Sequence, residues 1–202
     1  MTIGYPISPT IAWGDESARM NNSPRMYLMC ATVFEPGSER QIADFAATKP
    51  PGMRKLHWYD MDLRERSRSL GALAAIPHWS TVAIAAPMLP GVRQERGRRK
   101  CLERLLPHLE GLGVERLVLE SRWKQEDQFD VDMVAALRSR KMIGKIWVEH
   151  VRPDAGEPRL WVPDQVLGAV GDVLCGFTDN WMRESAWDEI DNRITLLMET
   201  VH

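Results

Sequence analysis

The chain has 202 residues with a formal net charge of −2, 44% hydrophobic and 27% charged residues, a composition that suits one domain with a core of its own and argues against a wholesale polyanion binder. Its three cysteines, Cys30, Cys101 and Cys175, form no C-x-x-C pair, which favours a reducing cytoplasm over a disulfide scaffold or a structural zinc site. No apolar run reaches the roughly 18–20 residues of a membrane span, and MTIGYPISPTIAW lacks the basic start and long apolar stretch of a secretion signal.

The first two predicted elements are strands, TIAWG (10–14) and YLMCATVF (27–34), joined by a loop carrying Asn, Ser and Pro. SERQIADFAA (38–47) sets Ile42, Phe45 and Ala46 at helical spacing behind Ser38, a candidate N-cap, and TKPPG stops the helix. MRKLHWYDMD (53–62) leads into a short helix through Ala75. STVAIAAPM (80–88) is a continuous apolar run, as expected of a strand buried on both faces. A helix over about 92–112 aligns Cys101, Leu102, Leu105, Leu106, Leu109 and Leu112 on one stripe, with Pro107 expected to kink it. VERLVLE (114–120) reads as a strand, FDVDMVAALRSRKM (129–142) as an amphipathic helix and KIWVEHV (145–151) as a strand. A helix from about Val162 to Cys175 follows, then a last helix with Thr178 as candidate cap and Trp187, Ile190, Ile194, Leu197 and Met198 facing inward. The eight tryptophans read as core and interface fillers.

This order predicts an α/β fold in a single domain over 1–202: a mixed sheet of about five strands flanked by helices, with its core at about 8–176 and an extra C-terminal helix at 178–202. The first two strands are antiparallel, and right-handed crossovers join the later, mainly parallel ones.

In such sheets chemistry sits outside strand ends, where loops converge. Asp15 follows the first strand, Glu120 ends VERLVLE, and Asp164 lies in the first turn of VPDQVLGAVGDVLCG behind Pro163, which suits a first turn. Steps of 4, 7 and 11 residues put Asp164 on one face with Gly168, Gly171 and Cys175. Two helix-interior glycines cost roughly 1 kcal/mol each relative to alanine, so close packing of that face is the expected compensation. Packed on the sheet, it carries Asp164 toward Asp15 and Glu120. Three gathered carboxylates repel and call for a cation, and hard oxygen ligands select Mg²⁺ or Mn²⁺. Each acid also has an ordinary reading: a turn for Asp15-Glu16, a helix-dipole partner for Asp164, and a surface ion pair with Arg122 for Glu120.

In KLHWYD, His57 and Asp60 stand within reach on one helical turn, and His57 is either a packed, hydrogen-bonded residue or a proton carrier beside the metal. No HxxxH, GxSxG, Walker or GxGxxG pattern occurs. The run RQERGRRKCLER (93–104) offers Arg93, Arg96, Arg98, Arg99 and Lys100 either as a solvated helix face or as a phosphate-tracking patch.

Together WGDES, YLMCATVF, KLHWYD and VPDQVLGAVGD resemble domain-of-unknown-function family 3800, a family of RNase H-like proteins, over about residues 8–176. Ala18 stands where that family usually has glycine, and Pro163 where it usually has alanine. The resemblance implies an RNase H-like fold and, by analogy, two-metal phosphodiester hydrolysis. Asp15, Glu120 and Asp164 are then the catalytic metal ligands, Glu16 and Glu149 accessory acids, and His57 assists proton transfer. The expected partner is nucleic acid, whether RNA, DNA or hybrid, with no membrane and with a homo-oligomer or protein partner open. The alternative is a catalytically inactive RNase H-fold module, of mobile-element or phage-defence origin, that binds nucleic acid or protein through the arginine face and exposed tryptophans.

Overall fold

The computed structural model describes residues 10–152, 156–177 and 186–201. Strand β1 (Thr10–Arg19) does not stop before its acids. It runs on because β2 (Met26–Phe34) keeps pairing with it antiparallel, Asp15 against Cys30, Glu16 against Met29 and Arg19 against Met26. Strand β3 (His78–Met88) pairs antiparallel with β2; β4 (Val114–Glu120) lies parallel to β1, and β5 (Trp147–Val151) parallel to β4.

The predicted C-terminal helix is replaced by a short helix and a sixth strand. Helix α6, Trp187–Asp191, buries Trp187 and Ile190 as expected. Residues Ile194–Val201 then form β6, parallel to β3 and completing the order β5-β4-β1-β2-β3-β6. The unpaired backbone of β3 supplies the ladder for ITLLMETV, and a short apolar run at ambiguous spacing follows that partner rather than a helical stripe. Met198 consequently stands 56% exposed instead of facing inward. Thr178, the candidate cap, lies outside the described residues.

Of the remaining helices, α1 (Glu39–Ala47) and α2 (Leu63–Ala74) follow β2; α3 (Gln94–Gly111), α4 (Lys124–Ser139) and α5 (Trp161–Leu174) follow β3, β4 and β5. Ser38 does not cap α1: its hydroxyl donates to the Glu35 carbonyl at 2.6 Å. Helix α2 opens on a reciprocal capping box between Asp62 and Glu65. Helix α3 accommodates Pro107 and buries the predicted stripe except Leu112, which lies just past its end and is 63% exposed. Helix α4 starts five residues before its predicted position: Trp123 is extended, and Asp127 in the first turn accepts from the Arg122 N–H and the Ser121 hydroxyl.

Helices α1, α2, α5 and α6 cover one face of the sheet over Leu28, Cys30, Val82 and Ile84; α3 and α4 cover the other over Met29, Ala83, Leu117 and Leu119. The tryptophans divide between roles, Trp58, Trp161 and Trp187 buried but Trp79, Trp123 and Trp147 exposed. Among the described residues no helix is long and apolar enough to cross a membrane.

The glycine face of α5 packs as closely as its sequence predicts, but the sheet is reached through two intervening side chains. A Cβ on Gly168 would stand 2.0 Å from Trp58 Cγ, and one on Gly171 2.2 Å from Arg19 Nε. The Arg19 guanidinium, carried by β1, donates to Asp172 Oδ1 at 2.8 Å and to the Gly168 carbonyl at 2.9 Å, while Trp58 Nε1 donates to Asp172 Oδ2 at 2.9 Å.

This packing makes Gly168→Ala destabilising by about 1–3 kcal/mol, the usual range for overpacking. Gly71→Ala in α2, where an added Cβ meets nothing within 4 Å, stabilises by roughly 0.5–1 kcal/mol. Denaturant unfolding of the two variants measures the contrast, and equal shifts would contradict the close approach of α5.

Candidate functional site

The sheet forks at Gly14. Strand β4 pairs with β1 as far as Gly14 against Leu119, after which β1 continues with β2 alone. A Cβ at Gly14 would stand 2.8 Å from both the Cys30 carbonyl oxygen and Leu119 Cδ2, so the three strands close tightly there. Asp15 and Glu120 are the next residues on the two adjacent strands. Alternation along β1 and β4 turns both toward the α5 layer, since Leu117 and Leu119 face the α3 side. Asp164, in the first turn of α5 and 8% exposed, completes the group from above the sheet.

The KLHWYD segment supplies the cations. Lys55 Nζ donates to Glu120 Oε2 at 2.8 Å, and His57 Nδ1 lies 3.0 Å from Asp164 Oδ1. Asp164 Oδ2 accepts from the Trp58 N–H at 2.8 Å and from Gln165 Nε2 at 3.0 Å. The expected pairing of His57 with Asp60 gives way to Asp164, because only Trp58–Asp60 form a 3-10 turn and His57 precedes it in extended conformation.

Charge in this group is unbalanced toward the negative. Burial pushes the Asp15 carboxyl well above the usual carboxylate range, the Asp164 charge adds to this and Glu120 adds less, with Lys55 and His57 acting in opposition. Asp15 Oδ1 accepts the Glu16 N–H at 2.8 Å, and Oδ2 has no hydrogen-bond partner among the described residues. Contact with Asp164 raises His57 above the ordinary histidine range, against the opposing effect of burial. For Lys55 burial disfavours the charge, but the Glu120 bond and the Asp15, Glu120 and Asp164 charges outweigh it and raise its pKa. Asp15, Lys55, Glu120 and Arg122 line a cleft of about 140 Å³. A larger cavity of about 710 Å³ lies around Thr10, Phe34, Trp79 and Arg159 and contains none of the three acids.

The donor set is all carboxylate oxygen, which fits Mg²⁺ or Mn²⁺ in kind, and Asp15, raised first by burial and then by the Asp164 and Glu120 charges, is a carboxylate that a nearby cation would favour in its charged form. Among the described residues no three His, Cys, Asp or Glu side chains are gathered closely enough to hold an ion as they stand. Glu120 is held by Lys55, and Asp164 by His57, Trp58 and Gln165.

Other predicted residues go elsewhere. Glu16 points to the opposite face, where it accepts from the Tyr27 hydroxyl at 2.5 Å and pairs with Arg98 and, at 3.6 Å, with Arg122. Glu149 on β5 pairs with Arg116 at 2.9 Å and does not join the three acids. Arg98 is not an outward phosphate contact: it is 2% exposed and grips Asp130 through Nε at 2.8 Å and Nη2 at 2.6 Å. Gly97 beside it lies so close to β2 that a Cβ would stand 2.6 Å from Tyr27 Cβ, which turns this side of α3 inward. Lys100 is engaged by Glu103 at 3.1 Å and Glu199 at 3.7 Å, leaving Arg93 at the N-terminal cap of α3 and Arg96 and Arg99 on the helix exposed.

Sequence reasoning passed over Lys55, two residues before His57. It also passed over Asp130, an acid on the buried face of α4 with Met133, Val134 and Leu137. Burial raises the Asp130 carboxyl, but bonds from Arg98 and His150 outweigh it and bring its pKa down to about 2.

The chain superimposes on a chain of the PCNA:RNase HII complex from Archaeoglobus fulgidus with a TM-score of 0.54, at 9% identity over 84% of this chain and 75% of that one. No family model and no curated protein matches the sequence. The likeness and the strand order together give the fold: an RNase H-like mixed sheet flanked by helices, with β6 added at one edge.

The His57–Asp164 contact has a signed consequence for pH. A histidine whose folded pKa is raised stabilises the fold fully below its unfolded value of about 6.5, and that stability is lost as pH rises through the folded pKa. His57→Gln therefore costs most stability below about pH 6.5, and the deficit closes above the folded pKa. In NMR titration of the chelator-treated protein, His57 titrates above free histidine and falls toward it in Asp164→Asn; an unshifted His57 in the parent protein would contradict the pairing.

Proposed function

We propose that this protein is a divalent-metal-dependent nuclease of domain-of-unknown-function family 3800, with Asp15, Glu120 and Asp164 as the ligands of Mg²⁺ or Mn²⁺. The observation that supports this reading is the placement of Asp15 and Glu120 at adjacent strand positions past Gly14, with Asp164 near enough that its charge, like that of Glu120, acts on the Asp15 carboxyl. The RNase H-like fold and the motifs WGDES, KLHWYD and VPDQVLGAVGD support it.

When bound, the metal supplies an activated water and a counter-charge for the leaving oxygen of a phosphodiester. The chain's own residues do the rest. Asp15 offers an unpartnered oxygen to the cleft, and α5 with the Trp58 N–H fixes the orientation of Asp164. His57, whose pKa Asp164 raises, is the group placed to give a proton to the departing oxygen. Exposed Arg93 at the N-terminal cap, and Arg96 and Arg99 on the helix whose Arg98 lines the cleft, provide contacts to a nucleic-acid backbone. Glu16 serves by holding Arg98 and Tyr27 on the far face.

A second reading is a catalytically inactive module that binds nucleic acid or a protein partner through the same arginines. The observation favouring it is that Lys55 and His57 already engage two of the three carboxylates. Binding in that case needs no divalent ion, and its salt slope falls by about one per phosphate contact removed by charge reversal at Arg93, Arg96 or Arg99.

Incubation with single-stranded RNA, DNA and RNA–DNA hybrid in Mn²⁺ separates the two. The nuclease reading predicts cleavage that Asp15→Asn and Asp164→Asn each reduce by at least about 100-fold. Absence of cleavage on all three substrates, or cleavage indifferent to both substitutions, overturns it.

A further inference from the structure

We propose that Lys55 is the cleft's built-in counter-ion: its ammonium occupies Glu120 in the metal-free protein and must release that carboxylate before a divalent cation can bind. The inference rests on the reading of Asp15, Glu120 and Asp164 as metal ligands and adds a residue that sets how tightly they bind.

The geometry is specific. Lys55 Nζ stands 2.8 Å from Glu120 Oε2, with both side chains partly shielded, and both residues line the cleft into which Asp15 opens. An ammonium has three donors and no acceptor, so Lys55 cannot itself ligate a metal. On Oε2 at 2.8 Å the ammonium stands where a doubly charged ion held by both Glu120 oxygens would lie against it, and the two like charges repel. The two cations therefore compete for one carboxylate.

The local chain is built for that exchange. Lys55 comes from the connector between α1 and α2, not from the sheet. Its neighbours Leu56 and Trp58 are buried at 1% and 0% exposure, and the Trp58 N–H is fixed by Asp164. The anchor stays in place while a flexible four-carbon stem swings the ammonium away. The ammonium also acts on Asp15, which lines the same cleft and whose second oxygen has no hydrogen-bond partner among the described residues.

Mn²⁺ binding to the full chain, read from the loss of the free-ion EPR signal at fixed pH and ionic strength, tests this without reference to catalysis. Lys55→Met is expected to bind Mn²⁺ on the order of tenfold more tightly than the parent protein, and Lys55→Arg, which keeps the charge, shows no such gain. Asp15→Asn is placed in the parent and Lys55→Met backgrounds to locate the ion, and Lys55→Gln replaces Lys55→Met if the latter fails to fold. Equal Mn²⁺ affinity in the parent and Lys55→Met proteins, with Asp15→Asn weakening both, overturns the counter-ion role and leaves the metal centre standing. Binding that ignores Asp15→Asn in both backgrounds overturns the metal centre, and the role of Lys55 with it.

Discussion

The Arg19–Asp172 pair is the contact on which the geometry of the site depends. It joins β1 to α5 at 2.8 Å, with both residues at or below 5% exposure. Trp58 is tied to the same helix twice, its indole N–H on Asp172 and its backbone N–H on Asp164 two turns earlier. One aromatic residue thus bridges the two acids of α5 and brings the segment bearing Lys55 and His57 against the strand fork. Gly168 and Gly171 are glycines because Trp58 and Arg19 fill the space a Cβ would take. Removing Asp172 leaves the buried Arg19 guanidinium without its counter-charge, at a cost of roughly 3–5 kcal/mol, whereas Asp172 without Arg19 keeps Arg66 at 3.3 Å and the Trp58 indole N–H. The same knot that stabilises the domain therefore positions the segment bearing Lys55 and His57 and the first turn of α5.

The two faces of β1 carry separate electrostatic systems that meet at the end of β4. On the α5 face burial and the Asp164 and Glu120 charges disfavour the Asp15 carboxylate, and Lys55 and His57 offset this in part. On the other face Glu16, Arg98, Asp130 and His150 form a largely compensated network between α3, α4 and the sheet. That network pins the first turns of α3 to the sheet, with Arg98 buried and Arg93, Arg96 and Arg99 directed outward. The cleft between the two systems is lined by both signs of charge, Asp15, Glu16 and Glu120 with Lys55, Arg98 and Arg122.

Much of this was legible in the sequence because local patterns and tertiary context agreed. The mixed α/β sheet, the antiparallel first pair and every helix through α5 follow from periodicity and breakers, and the side of β1 taken by Asp15 follows from simple alternation. The glycine spacing of α5 announced a close approach, although not that Trp58 and Arg19 would occupy it. What sequence could not supply were pairings set by partners far along the chain. The continuation of β1 past Gly14 depends on β2, and the strand at 194–201 depends on the open edge of β3. Arg98 looked like one cation in a basic run; its burial follows from Asp130, 32 residues away on another helix. Glu149 lies one strand from the fork, where Arg116 takes it instead.

The central claim is that three carboxylates at the fork share a divalent ion. An anomalous-difference map from crystals grown in Mn²⁺ tests it most directly. A peak within coordination distance of Asp15, Glu120 and Asp164, with Lys55 turned away from Glu120, is the predicted result. Mn²⁺ bound elsewhere, or no peak in a cleft where Lys55 still holds Glu120, would contradict it.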